Sequence, residues 1–106
     1  MREPTFLILT ALANESRHGY GIVQEIQVLS AGRVRLLTGT LYTALDRLAA
    51  EGLVEHDREE VVDGRLRRYY RLTAEGLALL TAETARLRQL TTAAEARLRS
   101  VHPRTA

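Results

Sequence analysis

The C-terminal part of the chain carries one long helical stripe, and this stripe limits the folds that are open to the rest. Its members recur at alternating spacings of three and four residues: Leu77, Leu80, Thr84, Leu87, Thr91, Ala94, Leu98 and Val101. Such spacing is the heptad pattern of helices that pack along one another. The residues before the stripe need only a few turns of helix as cover. We therefore predict a dimerisation helix over residues 74–102, followed by a tail at 103–106 that starts at Pro103; the alternative is a helix that lies only on its own domain.

Three shorter helical patterns precede this helix. The first begins near Pro4 and is apolar on nearly all sides, so we expect it to be buried on more than one side. In a protein of this size the second burial partner can be another subunit. We therefore predict that Phe6 and Leu9 complete a dimer interface.

The second and third helical patterns each have a predicted start and an inner face. For the second helix, Ser16 is a suitable cap, and the inner face is predicted at Tyr20, Val23 and Ile26, with Leu29 as a further candidate. For the third helix, Thr38 is the predicted cap, and the inner face is predicted at Leu41, Leu45 and Leu48. Gly32 and Gly52 are placed to end the two helices.

Two strand-like segments follow at residues 53–62 and 65–73, and Asp63-Gly64 between them is a strong signal for a hairpin.

The register of this hairpin is open, because two loop lengths fit. A two-residue loop pairs Val61 with Leu66. A loop one residue longer places Val54 on the same face as Tyr70 and Leu72. We favour the longer loop because it gives the hairpin one apolar face.

This order of elements predicts a mainly α fold of the α+β type. Three helices, a hairpin and a long helix follow the order of a winged helix-turn-helix with a two-stranded β wing and a C-terminal dimerisation helix. We expect residues 1–73 to form a DNA-binding domain in which the third helix enters the major groove. The outer face of that helix carries hydroxyls and a guanidinium, which contact phosphates or bases. Every surface helix has a polar outer face, however, so the pattern alone is not decisive.

Composition narrows the range of partners. All basic side chains other than histidine are arginine, which binds phosphate and guanine in a bidentate manner. Residues 1–52 and 53–72 each have equal numbers of acidic and basic side chains, so the net charge of +2 comes from the C-terminal segment. DNA binding must therefore depend on the placement of single arginines rather than on a broad basic field. With no Cys, no membrane-length apolar run and no signal-peptide pattern, we expect a cytoplasmic protein without disulfides or a membrane partner.

Three blocks of the sequence resemble the signature blocks of the PadR family of bacterial transcriptional regulators. They are "HGYGI" at 18–22, "GTLYTALDRLAAEGLV" at 39–54 and "GRLRRYYRLTAEG" at 64–76. The single long helix after them resembles the small subfamily. The resemblance implies a homodimer, an operator DNA with two half-sites and, usually, repression. In some members a small aromatic or cationic compound between the subunits releases the DNA, which implies a small hydrophobic or aromatic effector at the dimer interface.

The sequence departs from this family at two points. Many members have Pro where this chain has Thr43, and a Thr keeps its backbone N–H and offers a hydroxyl to DNA. Small drug-sensing members can carry a Trp in the pore of the dimer, and this chain has no Trp. We therefore do not expect an effector to stack on a Trp in this chain.

The candidate binding residues come from the pattern and the resemblance together. Tyr42 resembles the DNA-contacting Tyr of the family, and the alternative for it is packing against the hairpin. Arg65 is the best DNA-binding candidate in the wing because it adjoins the turn. The alternative for the wing arginines is cross-strand ion pairing with acidic side chains. Arg71 fits such a structural ion pair. The DNA-binding set is Thr38, Thr40, Tyr42, Thr43, Arg47, Arg65, Arg67 and Arg68. The dimerisation set is Phe6, Leu9, Leu77, Leu80, Thr84, Leu87, Thr91, Ala94 and Leu98.

The sequence gives little support to catalysis or metal binding. No catalytic triad order, carboxylate pair or glycine-rich phosphate loop stands out, and His18, His56 and His102 do not form a ligand set. We expect no enzyme activity, no metal and no cofactor, and we assign His18 to the entry of the second helix. The remaining alternative to a DNA-binding regulator is a winged-helix protein–protein module that dimerises without reading DNA.

Overall fold

The computed structural model describes residues 1–101 and contains four helices and three strands within that range. The elements are α1 (Glu3–Ala11), β1 (Arg17–His18), α2 (Gly19–Leu29), α3 (Thr38–Ala50), β2 (Val54–Val62), β3 (Arg65–Leu72) and α4 (Ala74–Ser100). The strands form one antiparallel sheet in the order β1-β3-β2. This arrangement confirms the predicted winged helix-turn-helix and adds a third strand to the expected wing. The predicted helix end at residue 102 and the tail at 103–106 lie outside the described residues.

The core is made by the inner faces of the helices and the base of the wing. Fully buried side chains come from every helix before the wing and from the start of β2: Ile8, Leu9, Ile22, Ile26, Leu41, Leu45, Leu48 and Val54. Leu9 is 0% exposed within its own chain, so it has no surface left for a partner. The predicted dimer contact of Leu9 is therefore wrong, whereas Phe6 is partly buried at the edge of the core.

The start of α2 differs from the prediction because the chain forms β1 first. Arg17 and His18 pair with Tyr70 and Tyr69 of β3. His18 rather than Ser16 caps α2, and its Nδ1 accepts a hydrogen bond of 3.2 Å from the Gly21 N–H.

The inner face of α2 is also shifted. Its buried residues are Gly19, Ile22, Val23 and Ile26. Tyr20 is 66% exposed and Leu29 is 43% exposed, so the prediction that these two face the core is wrong. The helix begins at Gly19, and the neighbouring position turns toward solvent.

The start of α3 needs a smaller correction. Leu37 is the residue that precedes the first turn, and its carbonyl oxygen accepts from the Leu41 N–H at 3.0 Å. Thr38 is therefore already helical, and no side chain caps this helix. Gly52 follows α3 with a φ of 77°, as predicted for a helix that ends at glycine.

The wing hairpin combines the two predicted registers. Asp63 and Gly64 both have positive φ, 52° and 75°, which a two-residue loop of this type requires. Val61 pairs with Leu66 beside this loop, so the preference for a longer loop is wrong at the tip.

At the base of the wing the other register applies. Val54 pairs with Leu72, and a bulge between His56 and Glu59 shifts the ladder between the two ends. A bulge inserts one extra residue into a strand, so the tight loop and the apolar base can coexist.

The bulge is held by a polar cluster centred on Asp57. This carboxylate accepts a hydrogen bond of 2.6 Å from the Ser16 hydroxyl and pairs with Arg71 at 3.1 Å and Arg58 at 3.2 Å. The Ser16 hydrogen bond is the main reason that the pKa of Asp57 lies below its usual value. Arg71 also pairs with Glu55 at 2.8 Å, which confirms its predicted structural role.

A compact joint connects the wing to α4. The Thr73 hydroxyl accepts from the Gly76 N–H at 3.0 Å and donates to the Gly52 carbonyl, as expected for a cap. The Thr73 N–H donates to the Leu53 carbonyl at 3.1 Å. The first turn of α4 is thereby fixed to the end of α3 and the start of β2.

The apolar side of α4 is covered by its own chain at a few positions in the first half of the helix and is exposed beyond them. Gly76 and Leu80 are buried, and Leu87 is half-buried. On the same side of the helix, Leu90, Leu98 and Val101 are 55%, 70% and 67% exposed. Of the predicted dimer residues in this helix, Leu77, Thr84, Thr91, Ala94 and Leu98 are exposed. Leu80 is only 7% exposed, so its own chain already covers nearly all of the surface that was predicted to meet a partner.

Within the described residues, no helix is both long enough and apolar enough to cross a membrane.

Candidate nucleic-acid interface

The exposed strip of α3 is set by the leucines on its inner side. Leu41, Leu45 and Leu48 are fully buried, so the opposite side of the helix faces solvent. Thr43 is exposed there, and the space around Gly39 is open to at least 4 Å. A groove of DNA could therefore approach the backbone of α3 closely at its N-terminal turn.

Tyr42 lies on one flank of this strip, between α3 and the start of α2. Its hydroxyl and ring lie where a side chain at Gly19 would be, so a larger residue at that buried position would displace the Tyr42 ring. Tyr42 is nevertheless 39% exposed. The two roles considered for this residue, packing and contact with a partner, are thus compatible in one side chain.

A cleft separates this flank of α3 from the wing, and we call it the wing cleft. It has a volume of about 420 Å³ and is lined by His18, Gly19, Tyr20, Tyr42, Arg65, Leu66, Arg67 and Arg68. No carboxylate belongs to this lining. The wing cleft therefore offers guanidinium, phenol and imidazole groups to an anion.

The three arginines of the wing cleft differ in how far they are neutralised. Arg68 pairs with Glu59 at 3.2 Å, and Arg67 lies opposite Glu60 in the ladder. Within residues 1–101, the ion pairs of the wing include neither Arg65 nor Arg67. The ion pair with Glu59 thus competes with any partner for Arg68, which is the alternative that the sequence left open. Arg65 is available to bind an anion.

His18 forms the inner wall of the wing cleft. Burial lowers the pKa of its imidazole, and the nearby Arg67 guanidinium lowers that pKa further. Because Nδ1 accepts from the Gly21 N–H, the proton of the neutral ring is on Nε2. The ring also packs edge-on against Tyr69, with 5.3 Å between the centroids.

His18 and Tyr20 were not among the predicted binding residues. Helical periodicity predicts Tyr20 in the core, and for this reason Tyr20 is absent from the predicted binding residues. The available signal was the block "HGYGI" itself, in which an exposed phenol follows the capping histidine.

The other predicted α3 residues lie toward the opposite flank, beside α1, with Thr43 at the border between that flank and the exposed strip. Thr40, Thr43 and Arg47 line a groove of about 600 Å³, which we call the α1–α3 groove. Its remaining lining residues are Arg2, Pro4, Thr5, Ile8, Gly39 and Ala44. Arg47 donates to the Thr5 hydroxyl at 3.1 Å and pairs with Glu51 at 3.6 Å, so its guanidinium is held toward α1.

The predicted DNA-binding set is therefore divided between two places. Tyr42, Arg65, Arg67 and Arg68 meet in the wing cleft, and Thr40, Thr43 and Arg47 meet in the α1–α3 groove. Thr38, in the first turn of α3, is exposed and belongs to neither lining.

Comparison with known proteins decides the family. The model of the transcriptional regulator PadR-like family matches residues 8–82, which contain α2, α3 and the wing. The chain belongs to the PadR-like family of transcriptional regulators. Over 83 residues it is 43% identical to Transcriptional regulator Rv3488 of Mycobacterium tuberculosis, with 78% of this chain and 74% of that protein covered. Since the members of this PadR-like family are regulators, the expectation that the chain is not an enzyme is confirmed.

Solved structures of PadR proteins share the fold. A PadR family transcription regulator from Clostridium difficile superposes with a TM-score of 0.73 at 28% identity, covering 89% of this chain and 96% of that one. Bacillus subtilis PadR, solved in complex with operator DNA, gives a TM-score of 0.69 at 21% identity, covering 78% of this chain and 47% of that one. The second likeness supports the PadR fold alone.

Proposed function

We propose that this PadR-like regulator is a cytoplasmic homodimeric repressor that binds a pseudo-palindromic operator. In this proposal residues 1–73 form the DNA-binding unit, residues 74–102 the dimerisation helix and residues 103–106 a tail. The observation that carries the proposal is the wing cleft, where three arginines and two tyrosines adjoin the exposed strip of α3 with no carboxylate in the lining. Bacillus subtilis PadR, which has the same fold, was solved in complex with operator DNA, and we propose the same class of partner for this chain.

The two parts of the site would have different tasks on DNA. α3 would lie in the major groove with Thr43 toward the base edges, because Thr43 is on the uncovered strip. Tyr42 and Arg65 would contact the sugar–phosphate backbone from the wing cleft, which fixes the position of the protein without reading sequence. Because the net charge is only +2, these few contacts would supply most of the electrostatic attraction.

The stripe on α4 supports the dimer. Leu90, Leu98 and Val101 continue the side of the helix that Gly76, Leu80 and Leu87 bury against their own chain. A second copy of α4 would cover these exposed side chains and bring two recognition helices into one assembly. The small hydrophobic or aromatic effector at the dimer interface stays a prediction of the family resemblance.

Salt dependence separates this proposal from the alternative of a protein–protein module. We expect the wild type to bind duplex DNA with an affinity that falls steeply as salt rises. Arg65→Ala should lower the slope of log K against log salt by about one unit for each lost phosphate contact, and hence by about two units for a dimer. Fluorescence anisotropy with a labelled duplex at several salt concentrations measures both quantities.

Arg99→Ala is the matched control, because it removes the same charge from the far end of α4. It should leave the slope unchanged. A wild type without salt-dependent duplex binding would contradict the DNA-binding proposal and favour the protein–protein module.

A further inference from the structure

We infer that the α1–α3 groove is a second binding site for the DNA backbone, with Arg2 and Arg47 as its phosphate contacts. This inference rests on the proposed DNA-binding function and extends it to α1, which carried no predicted DNA contact. Under this inference the recognition helix has a phosphate-binding wall on each of its two flanks.

The chemistry of the lining favours an anion. Five of its side chains carry hydrogen-bond donors, two guanidiniums and three hydroxyls, and none is a carboxylate: Arg2, Thr5, Thr40, Thr43 and Arg47. Pro4, which is exposed, and Ala44, which is partly buried, provide apolar surface in the same groove. Such a groove fits the sugar–phosphate backbone of DNA. The donors would bind the anionic phosphate oxygens, and the apolar surface would pack against the C–H groups of the deoxyribose.

Arg47 can turn to a phosphate at low cost. Its ion pair with Glu51 is 3.6 Å long, and both side chains are about half exposed. Exposed pairs of this kind contribute roughly 0–1 kcal/mol, so exchanging the carboxylate for a phosphate loses little. The hydrogen bond to Thr5 at 3.1 Å meanwhile keeps the guanidinium next to α1.

Arg2 is positioned by the start of α1. Its carbonyl oxygen accepts a hydrogen bond of 3.1 Å from the Phe6 N–H, so the backbone at Arg2 is part of the first helical turn. Its side chain makes no cap hydrogen bond and lines the groove. A backbone fixed in this way lowers the entropy that Arg2 would lose on binding.

The position of the groove explains why two walls are useful. Tyr42 and the wing cleft lie on one flank of α3, and Thr40 and Arg47 face α1 on the other. The major groove of B-DNA is about 12 Å wide and is bounded by two sugar–phosphate strands. With α3 in that groove, one strand would meet the wing cleft and the other the α1–α3 groove.

The test uses full-length protein with its purification tag at the C-terminus, so that Arg2 is unobstructed. We expect Arg2→Ala to weaken duplex binding at least about tenfold, because a charge-assisted hydrogen bond is lost from each subunit. The salt slope should fall by about two units for the dimer. Arg2→Lys should keep the wild-type slope, since it keeps the charge, and Arg47→Ala should repeat the effect of Arg2→Ala.

Arg99→Ala again controls for net charge, and circular dichroism melting checks that each variant is folded. If the wild type binds DNA with salt dependence and Arg2→Ala matches it in affinity and slope, the inference fails while the proposed function stands. Weaker binding by Arg2→Ala with an unchanged slope would also overturn it, because no phosphate contact would have been lost. A wild type that does not bind duplex DNA would overturn both.

Discussion

The Leu98→Asp variant is expected to be monomeric at concentrations at which the wild type is a dimer, and to bind operator DNA about 10²–10⁴-fold more weakly. Leu98 is 70% exposed and lies on the uncovered half of the α4 stripe. In the dimer, two aspartates would be buried there without partners, which is strongly unfavourable. A monomer also loses the high effective concentration of the second half-site, and this loss sets the expected range of affinity. Size-exclusion chromatography with light scattering gives the mass, and anisotropy with operator DNA gives the affinity.

Ala96→Asp is the matched control for this variant. Ala96 is exposed as well, but it lies two residues away on a different side of α4, so the same charge should be tolerated. Leu98 is a better site than Leu87, which is half-buried against its own chain, because a charge at Leu87 would also disturb the fold of the subunit. A dimeric Leu98→Asp protein that binds its operator normally would show that the stripe does not form the interface.

The second large effect is expected at the joint between the wing and α4. Gly76→Ala should lower the free energy of unfolding by about 2 kcal/mol or more, which corresponds to a fall in Tm of roughly 10 °C. Helix propensity alone predicts the opposite, a gain of about 1 kcal/mol. The structure reverses the sign because a Cβ at Gly76 would overlap the carbonyl oxygen of Leu53. That carbonyl cannot turn away without losing its hydrogen bond from the Thr73 N–H at 3.1 Å.

Gly39→Ala is the control that separates the steric effect of a new Cβ from the gain in helix propensity. Gly39 is also in the first turn of a helix, but nothing lies within 4 Å of the position that its Cβ would take. This variant should be as stable as the wild type or more stable, by up to about 1 kcal/mol. Thermal melts at one fixed protein concentration compare the variants, since the Tm of a dimer depends on concentration. A Gly76→Ala protein that melts above the wild type would contradict the described contact with Leu53.

The fold was largely predictable because its strongest signals are local. The Leu41, Leu45 and Leu48 stripe, the Asp63-Gly64 loop and the Thr73 cap each act within a few residues, and the structure contains all three. Errors arose where distant contacts override local pattern. Pairing with β3 makes residues 17–18 a strand, and the bulge in β2 lets two registers occur in one hairpin.

The candidate site was less predictable, because it too depends on contacts between residues that are distant in the sequence. Tyr42 and Arg65 were identified, and the structure brings them together in the wing cleft. Arg47 was assigned to the open face of α3, whereas a hydrogen bond to Thr5, far away in sequence, turns it toward α1. Arg2 carries no signal in the sequence, because its role depends on how α1 packs beside α3.

Selection of bound fragments from genomic DNA with the purified full-length protein, followed by sequencing, tests the central claim most directly. A dimer with one recognition helix per chain predicts a consensus with inverted symmetry, whose half-site centres are about 10 bp apart or a multiple of that distance. Recovery of such a pseudo-palindrome would support a regulator that reads DNA as a two-fold dimer. Failure to enrich any sequence, or a consensus without inverted symmetry, would contradict it.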